Sequence, residues 1–279
     1  MFIRKVIFCI VAGEKMIDRK KYFLCDEYTK NLAKIAAKAT TNEELAKLCQ
    51  RMYIADYINL ENLDLWLSKN ALTTAFQVLK KYPALRSRLN YFGTLKGFAS
   101  SKDKLFAFLH PKCGWLTRRY ARQMTDSIVS SAEASFQNGG LAMAFFSNCG
   151  QYAFSGIILD EDDFDEQKVL EDIRYSSECG YSPMGCVSTR SIVDHELGHL
   201  LDYWLDLSNS LEFRSTIDAY SADYIGENLS RYCVEGGVVN YAEVLAEGFS
   251  EYRNHGAPRP IAKFIGELID KTYQMKQHV

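Results

Sequence analysis

The sequence contains little proline, only 5 residues in 279, and it has no excess of charge of either sign. Its 33 Lys and Arg residues face 35 Asp and Glu residues, which gives a formal net charge of −2. Because a basic surface is what nucleic acids bind, we expect no nucleic-acid partner. No apolar run reaches the roughly 20 residues that a membrane-spanning helix needs, so we expect no stable membrane insertion.

The eight cysteines are scattered, and none of them forms the CxxC pairs of a zinc ribbon. A disulfide-stabilised scaffold is shorter and has a higher density of cysteine. We therefore expect buried or unreactive thiols in a reducing compartment, which favours the cytoplasm.

The N-terminus contains seven apolar residues, 6–12, followed by a glycine. This stretch has the minimum length of the apolar region of a signal peptide, and its cleavage site is poor. Four interpretations stay open: a short strand or helix of the fold, translation that begins at Met16, a weak secretion signal, or a membrane anchor.

Residues 17–110 are predicted to be helical, because apolar side chains recur at helical spacing. The segment 110–115 is the best candidate for a boundary, since it combines a proline and a glycine after a turn-rich connector. We therefore expect a helical N-terminal region, residues 1–114, followed by a second domain, residues 115–279.

The second domain is predicted to contain a small sheet among helices. Two runs rich in Phe, Ile and Tyr, residues 141–147 and 152–159, predict strands joined by a turn. Helical spacing predicts the longer helices at residues 117–135, 189–207, 240–254 and 260–277. The fold class is therefore expected to be α+β and mainly helical.

Residues 195–199 read His-Glu-Leu-Gly-His. On a helix, His195 and His199 lie on one face, so both imidazoles can bind one metal ion, and Glu196 can reach a water beside it. Gly198 costs about 1 kcal/mol relative to alanine in the middle of a helix. An element packed closely behind this helix would explain why glycine is tolerated there.

A catalytic zinc ion needs a third protein ligand, and the histidine found six residues later in some peptidases is absent, because position 205 is Leu205. The stretch 241–251 instead carries Glu243, Glu247 and Glu251 at intervals of four. Glu243 and Glu247 fall on or near an apolar face, where a carboxylate needs a partner such as a metal ion or a histidine. Glu251 fits an ordinary charged stripe on the helix surface.

Two motifs make this chain similar to the gluzincin peptidases of the anthrax lethal factor type, which include phage-encoded relatives. They are the HELGH of residues 195–199 and the AEVLAEGF of residues 242–249. The resemblance covers roughly residues 115–260. It implies a zincin-like domain with a small sheet beside the HExxH helix, Zn²⁺ as cofactor, Glu243 as third ligand, and Glu247 as the carboxylate that orients a histidine ring.

The same resemblance implies a tyrosine shortly before the ligand helix that stabilises an oxyanion. Tyr232 matches this element best, with Tyr241 and Tyr224 as rivals. It also implies a strand that pairs with an extended substrate, for which the best candidates are the residues at the start of the first predicted strand: Leu141, Ala142, Met143 and Ala144.

These observations predict a zinc-dependent endopeptidase that acts on a protein or peptide substrate, with Glu196 as general base. Two alternatives stay open. One is a phage structural or head-associated protein that retains the peptidase fold, and the other is a protease toxin directed at a host protein. A phage or host protein is accordingly a possible partner.

Overall fold

The computed structural model describes residues 32–101, 115–149, 152–162 and 166–277. The N-terminal stretch 1–31, with the four interpretations of its apolar residues, lies outside this range. The α-helices are α1 (Leu32–Lys38), α2 (Asn42–Arg51), α3 (Leu65–Lys81), α4 (Trp115–Gln137), α5 (Glu166–Glu178), α6 (Thr189–Leu205), α7 (Leu211–Ile217), α8 (Ala222–Asn228), α9 (Tyr241–Asn254) and α10 (Pro260–Gln277). The strands are β1 (Tyr57–Asn59), β2 (Tyr91–Thr94), β3 (Ala142–Cys149), β4 (Tyr152–Leu159), β5 (Val234–Glu235) and β6 (Val238–Val239).

The α+β, mainly helical class is confirmed, and so are the long helices and the β3–β4 hairpin expected in the second half. The end of α3 at Lys81 follows from Pro83, because the residue before a proline is excluded from the helical region. Among the described helices, none combines the length and the apolar character needed to cross a bilayer.

The main sheet has four strands in the order β1-β2-β4-β3. Strands β1, β2 and β4 are parallel, and β3 runs antiparallel to β4. The N-terminal region was expected to be helical, so strands β1 and β2 correct that expectation. They have three and four residues, too few to show an alternating pattern in the sequence. Because they pair with β4, the regions 1–114 and 115–279 share one sheet.

Helices cover both faces of this sheet. Along β4, Phe154 and Ile158 pack on the side of α4, whereas Ile157 and Leu159 join the larger core with α3, α6, α9 and α10. The alternation follows from the two-residue repeat of a strand. It places α6 directly against the sheet on the face opposite α4.

Strand β3 lies at the edge of the sheet, and β4 is its neighbour on one side. The Leu141 carbonyl accepts a hydrogen bond from the Asp160 N–H, so the backbone groups of odd-numbered residues in β3 face β4. The backbone groups of Ala142, Ala144 and Phe146 therefore face outward, away from β4.

Helices α6 and α9 cross at very short range. A Cβ atom added to Gly198 would lie 2.9 Å from the Cα of Ala246 and 3.4 Å from the Cβ of Phe249. This contact confirms the close packing expected from a glycine in the middle of the helix. It brings the two helices that carry the candidate metal ligands together.

We predict that Gly198→Ala lowers the free energy of unfolding by about 1–3 kcal/mol, because the added methyl group overpacks the crossing against backbone. Denaturant unfolding monitored by circular dichroism measures the change. Gly226→Ala in α8 is the matched control, since its added Cβ would have its nearest neighbours 4.0 Å away. We expect this control to be neutral or to gain up to about 1 kcal/mol from helix propensity. A Gly198→Ala variant as stable as the control would contradict the close crossing.

Candidate metal centre

Helix α6 presents both motif histidines on one side. Its opposite side is anchored by buried apolar residues, among them Val193, Leu197 and Leu201. The Nε2 atoms of His195 and His199 lie 3.1 Å apart. When both Nε2 atoms are unprotonated, their two lone pairs converge on one point, which a shared cation would accept.

Helix α9 supplies a carboxylate to the same point. Asn240 caps the helix, because its side-chain oxygen accepts hydrogen bonds from the N–H groups of Ala242 and Glu243. The cap fixes Glu243 in the first turn. Its Oε2 atom lies 3.4 Å from Nε2 of His195 and 3.5 Å from Nε2 of His199.

The three ligand atoms fit a single metal ion. In a tetrahedral site with bonds of about 2.0–2.1 Å, two ligand atoms are about 3.3–3.4 Å apart, close to the three distances between His195, His199 and Glu243. Oε2 of Glu243 is also buried without a hydrogen-bond partner among the described residues. A buried carboxylate oxygen without a partner is costly, and a cation at the centre of the triad would satisfy it. The group can therefore hold a metal ion.

The electrostatic environment favours a cation. Burial opposes the charged form of His195, yet the carboxylates of Glu247 and Glu243 raise its pKa well above the ordinary value. Burial opposes ionisation of Glu243, yet both histidines hold its pKa below the usual range. The imidazole of His195 thus lies in a negative electrostatic environment, which would also stabilise a divalent cation bound to it.

The centre lies near the protein surface. The side chains of His195, His199 and Glu243 are each 16–18% exposed, although Oε2 of Glu243 itself is buried. A catalytic zinc ion typically has three protein ligands and keeps its fourth position for water or substrate, and this triad supplies three ligand atoms.

Glu196 lies between the triad and the edge of the sheet. Its side chain is buried, and its Oε2 atom accepts a hydrogen bond from the outward-facing N–H of Ala144 in β3. Burial raises the pKa of Glu196, while the two histidines act in the opposite direction. Ala144, one of the four residues 141–144 expected to bind substrate, is therefore in direct contact with the candidate base.

Glu247 is placed one turn after Glu243 and faces the other nitrogen of His195. Its Oε2 atom lies 3.7 Å from Nδ1 of His195, and its Oε1 atom lies 3.5 Å from the Ser230 hydroxyl oxygen. A carboxylate in this position favours the tautomer in which Nε2 of His195 is free to bind a metal ion.

The three candidate tyrosines occupy different surroundings. The ring of Tyr232 lies 6.3 Å from the ring of His195, between centroids, and more than half of the side chain is exposed. Burial of the remainder and the nearby Glu243 raise the pKa of Tyr232. The hydroxyl of Tyr241 instead donates to Asp218, and Tyr224 stacks on Tyr220. Of these three, Tyr232 is the one in ring contact with a candidate ligand.

Glu251 is fully buried, so its interpretation as a charged surface stripe is wrong. The guanidinium of Arg259 forms a two-point contact with its carboxylate, with nitrogen–oxygen distances of 2.6 and 3.1 Å. Its partner lies beyond the end of α9, so helical spacing alone gave no indication of this pair.

Sequence reasoning also missed Asp194, the residue before the motif. It is fully buried and accepts hydrogen bonds from Arg253 (2.7 Å) and Asn254 (3.0 Å), which tie α6 to the end of α9. Helical spacing could have predicted that Asp194 is buried, because it shares a helical face with the apolar Leu197 and Leu201.

We predict that the purified protein holds about one divalent metal ion per chain, and that His199→Ala and Glu243→Ala lose it because two ligands do not suffice. Glu247→Ala should keep the site but weaken the metal affinity by about 10–100-fold. Elemental analysis after gel filtration measures the content, and His255→Ala, whose imidazole hydrogen-bonds to Ala257, is the control. Full metal content in His199→Ala would contradict the assignment of these ligands. A greater loss of metal in Glu247→Ala than in Glu243→Ala would make Glu247 the third ligand and Glu243 the orienting carboxylate.

A comparison of the chain with protein-family models, curated proteins and solved structures finds no match. The chemistry of the centre is therefore inferred from its own side chains. Two imidazoles and a carboxylate converge on one point, beside a buried glutamate and a strand edge.

Proposed function

We propose that this protein is a zinc-dependent endopeptidase with a zincin-like domain, and that His195, His199 and Glu243 hold the zinc ion. The observation that carries the proposal is the convergence of these three ligand atoms next to Glu196 and the open edge of β3. Two histidines and one glutamate, with a fourth position left open, form a ligand set that catalytic zinc uses in peptidases.

A bound zinc ion would polarise a carbonyl group and lower the pKa of water. Glu196 is placed to accept the proton of an attacking water and to pass it to the amine that leaves. The Ala144 N–H that donates to its Oε2 atom holds the carboxylate in place. Tyr232 is placed beside His195, where its hydroxyl can donate to the oxyanion that develops during attack.

The edge of β3 supports a peptide as substrate. The Ala144 N–H is taken by Glu196, whereas the backbone groups of Ala142 and Phe146 and the Ala144 carbonyl face outward, where an extended peptide can form main-chain hydrogen bonds. The Ala144–Glu196 contact then places the edge next to the candidate base. Main-chain pairing fixes the direction of an extended polypeptide and does not require a particular side chain. It therefore supports a protein or peptide as the class of substrate.

We predict that Glu196→Gln retains zinc but loses turnover, because an amide cannot accept the proton. Wild-type and variant protein are incubated with a proteome-derived peptide library, and mass spectrometry records new N-termini. Glu212→Gln is the matched control, since Glu212 is exposed in α7 and pairs with Lys271 on the surface. Zinc-loaded wild-type protein that yields no new N-termini would overturn the peptidase proposal and favour the structural alternative.

We predict that Tyr232→Phe lowers kcat by roughly 10²-fold, about the loss of one oxyanion donor, while KM and zinc content change little. The hydroxyl acts only as charge develops, so substrate binding does not need it. The peptide cut fastest in the library, made as a quenched fluorogenic substrate, gives both constants. Tyr224→Phe is the control. Loss of activity in Tyr241→Phe together with a silent Tyr232→Phe would assign the role to Tyr241.

A further inference from the structure

The pair of buried Glu251 and partly exposed Arg259 lies at the far end of α9, away from the candidate metal ligands. Glu251 accepts hydrogen bonds from three nitrogen atoms of Arg259. The backbone N–H of Arg259 donates to Oε1 at 2.7 Å, Nη2 donates to Oε2 at 2.6 Å, and Nε lies 3.1 Å from Oε1. The carboxylate thereby fixes the orientation of the whole guanidinium group.

The fixed guanidinium has a second set of contacts. Its Nη2 atom also donates to the carbonyl of Leu229 at 2.7 Å, and its Nη1 atom lies 3.5 Å from the carbonyl of Glu227. These carbonyls belong to the end of α8 and to the residue after it. Arg259 therefore joins the end of α9 to the chain that leads into Tyr232.

The segment Leu229–Cys233 is held on its other side by the loop before α6. The Ser230 hydroxyl donates to the Tyr181 carbonyl at 2.8 Å, and the Arg231 N–H donates to the Gly180 carbonyl at 2.8 Å. Tyr232 itself is largely exposed, so packing of its own ring contributes little to its position. The backbone anchors on either side of the segment therefore fix where the ring starts from the chain, next to His195.

We propose that Arg259, held by Glu251, is a positioning residue that keeps Tyr232 beside the metal centre; the catalytic part of this inference rests on the proposed function. A lysine can neutralise Glu251, but its single ammonium group cannot make the planar two-point contact and hold the Leu229 carbonyl at the same time. Helix α9 would then link two functions through one rigid element, with Glu243 at its start and the anchor of Tyr232 at its end.

The first test measures hydrogen exchange and needs no turnover. In Arg259→Lys, the amides of residues 229–233 should exchange about 10-fold faster, while those of α6 stay protected, because only the anchor of the segment is weakened. Arg51→Lys, a substitution of the same kind at an exposed position in α2, is the control and should leave the segment unchanged. Unchanged exchange at residues 229–233 in a folded Arg259→Lys would overturn the inference.

The second test is a double-mutant cycle on kcat, with the fluorogenic peptide described above as probe. Arg259→Lys alone should lower kcat by about 10-fold at constant KM and zinc content. If Arg259 acts through the tyrosine, adding Arg259→Lys to Tyr232→Phe should cause no further loss, because the hydroxyl to be positioned is already absent. Multiplicative losses in the double variant would show that Arg259 acts elsewhere and would overturn the inference.

Should Arg259→Lys fail to fold, Glu251→Gln carries the same two tests. The amide keeps one acceptor oxygen for Arg259 and loses the other, so we expect the same effects at smaller size. Unaltered exchange and unaltered kcat in this variant would overturn the inference. A wild-type protein that cuts no peptide overturns the proposed function, and the exchange measurement still decides whether Arg259 anchors the segment.

Discussion

The contact between the backbones of α6 and α9 at Gly198 and Ala246 sets the geometry of the centre. His195 lies one turn before Gly198 and His199 directly follows it, while Glu243 lies one turn before Ala246. A Cβ atom at position 198 would lie 2.9 Å from the Cα of Ala246, so a larger residue would push apart the two helices that carry the ligands. Helix packing, rather than any loop, therefore determines whether the three ligands meet.

Helix α9 shows how one residue type acquires different properties from its surroundings. Glu243, Glu247 and Glu251 repeat every four residues and line one side of the helix, where three buried negative charges would repel each other. Glu243 faces both histidines of α6, Glu247 faces Nδ1 of His195 in the same helix, and Glu251 pairs with Arg259 after α9. The stripe therefore ties α9 to α6 and to the chain that follows α9.

Local patterns made much of the fold predictable. The ends of α3 and α10, the β3–β4 hairpin and the histidine pair all depend on residues within a few positions of each other. Strands β1 and β2 were missed because they are short and exist only through pairing with β4. The role of Glu251 was missed for a related reason, since its environment depends on Arg259 and Leu229, which helical periodicity does not connect.

The placement of the ligands on two helices also has a temporal consequence. A chain is synthesised from its N-terminus, and α6 with both histidines is complete well before Glu243 is added. Until α9 docks against Gly198, the two imidazoles supply only two of the three candidate ligands, so their affinity for a metal ion would be low. The growing chain thus carries an incomplete centre while residues 200–242 are added, and metal capture would report that the last third of the molecule has folded.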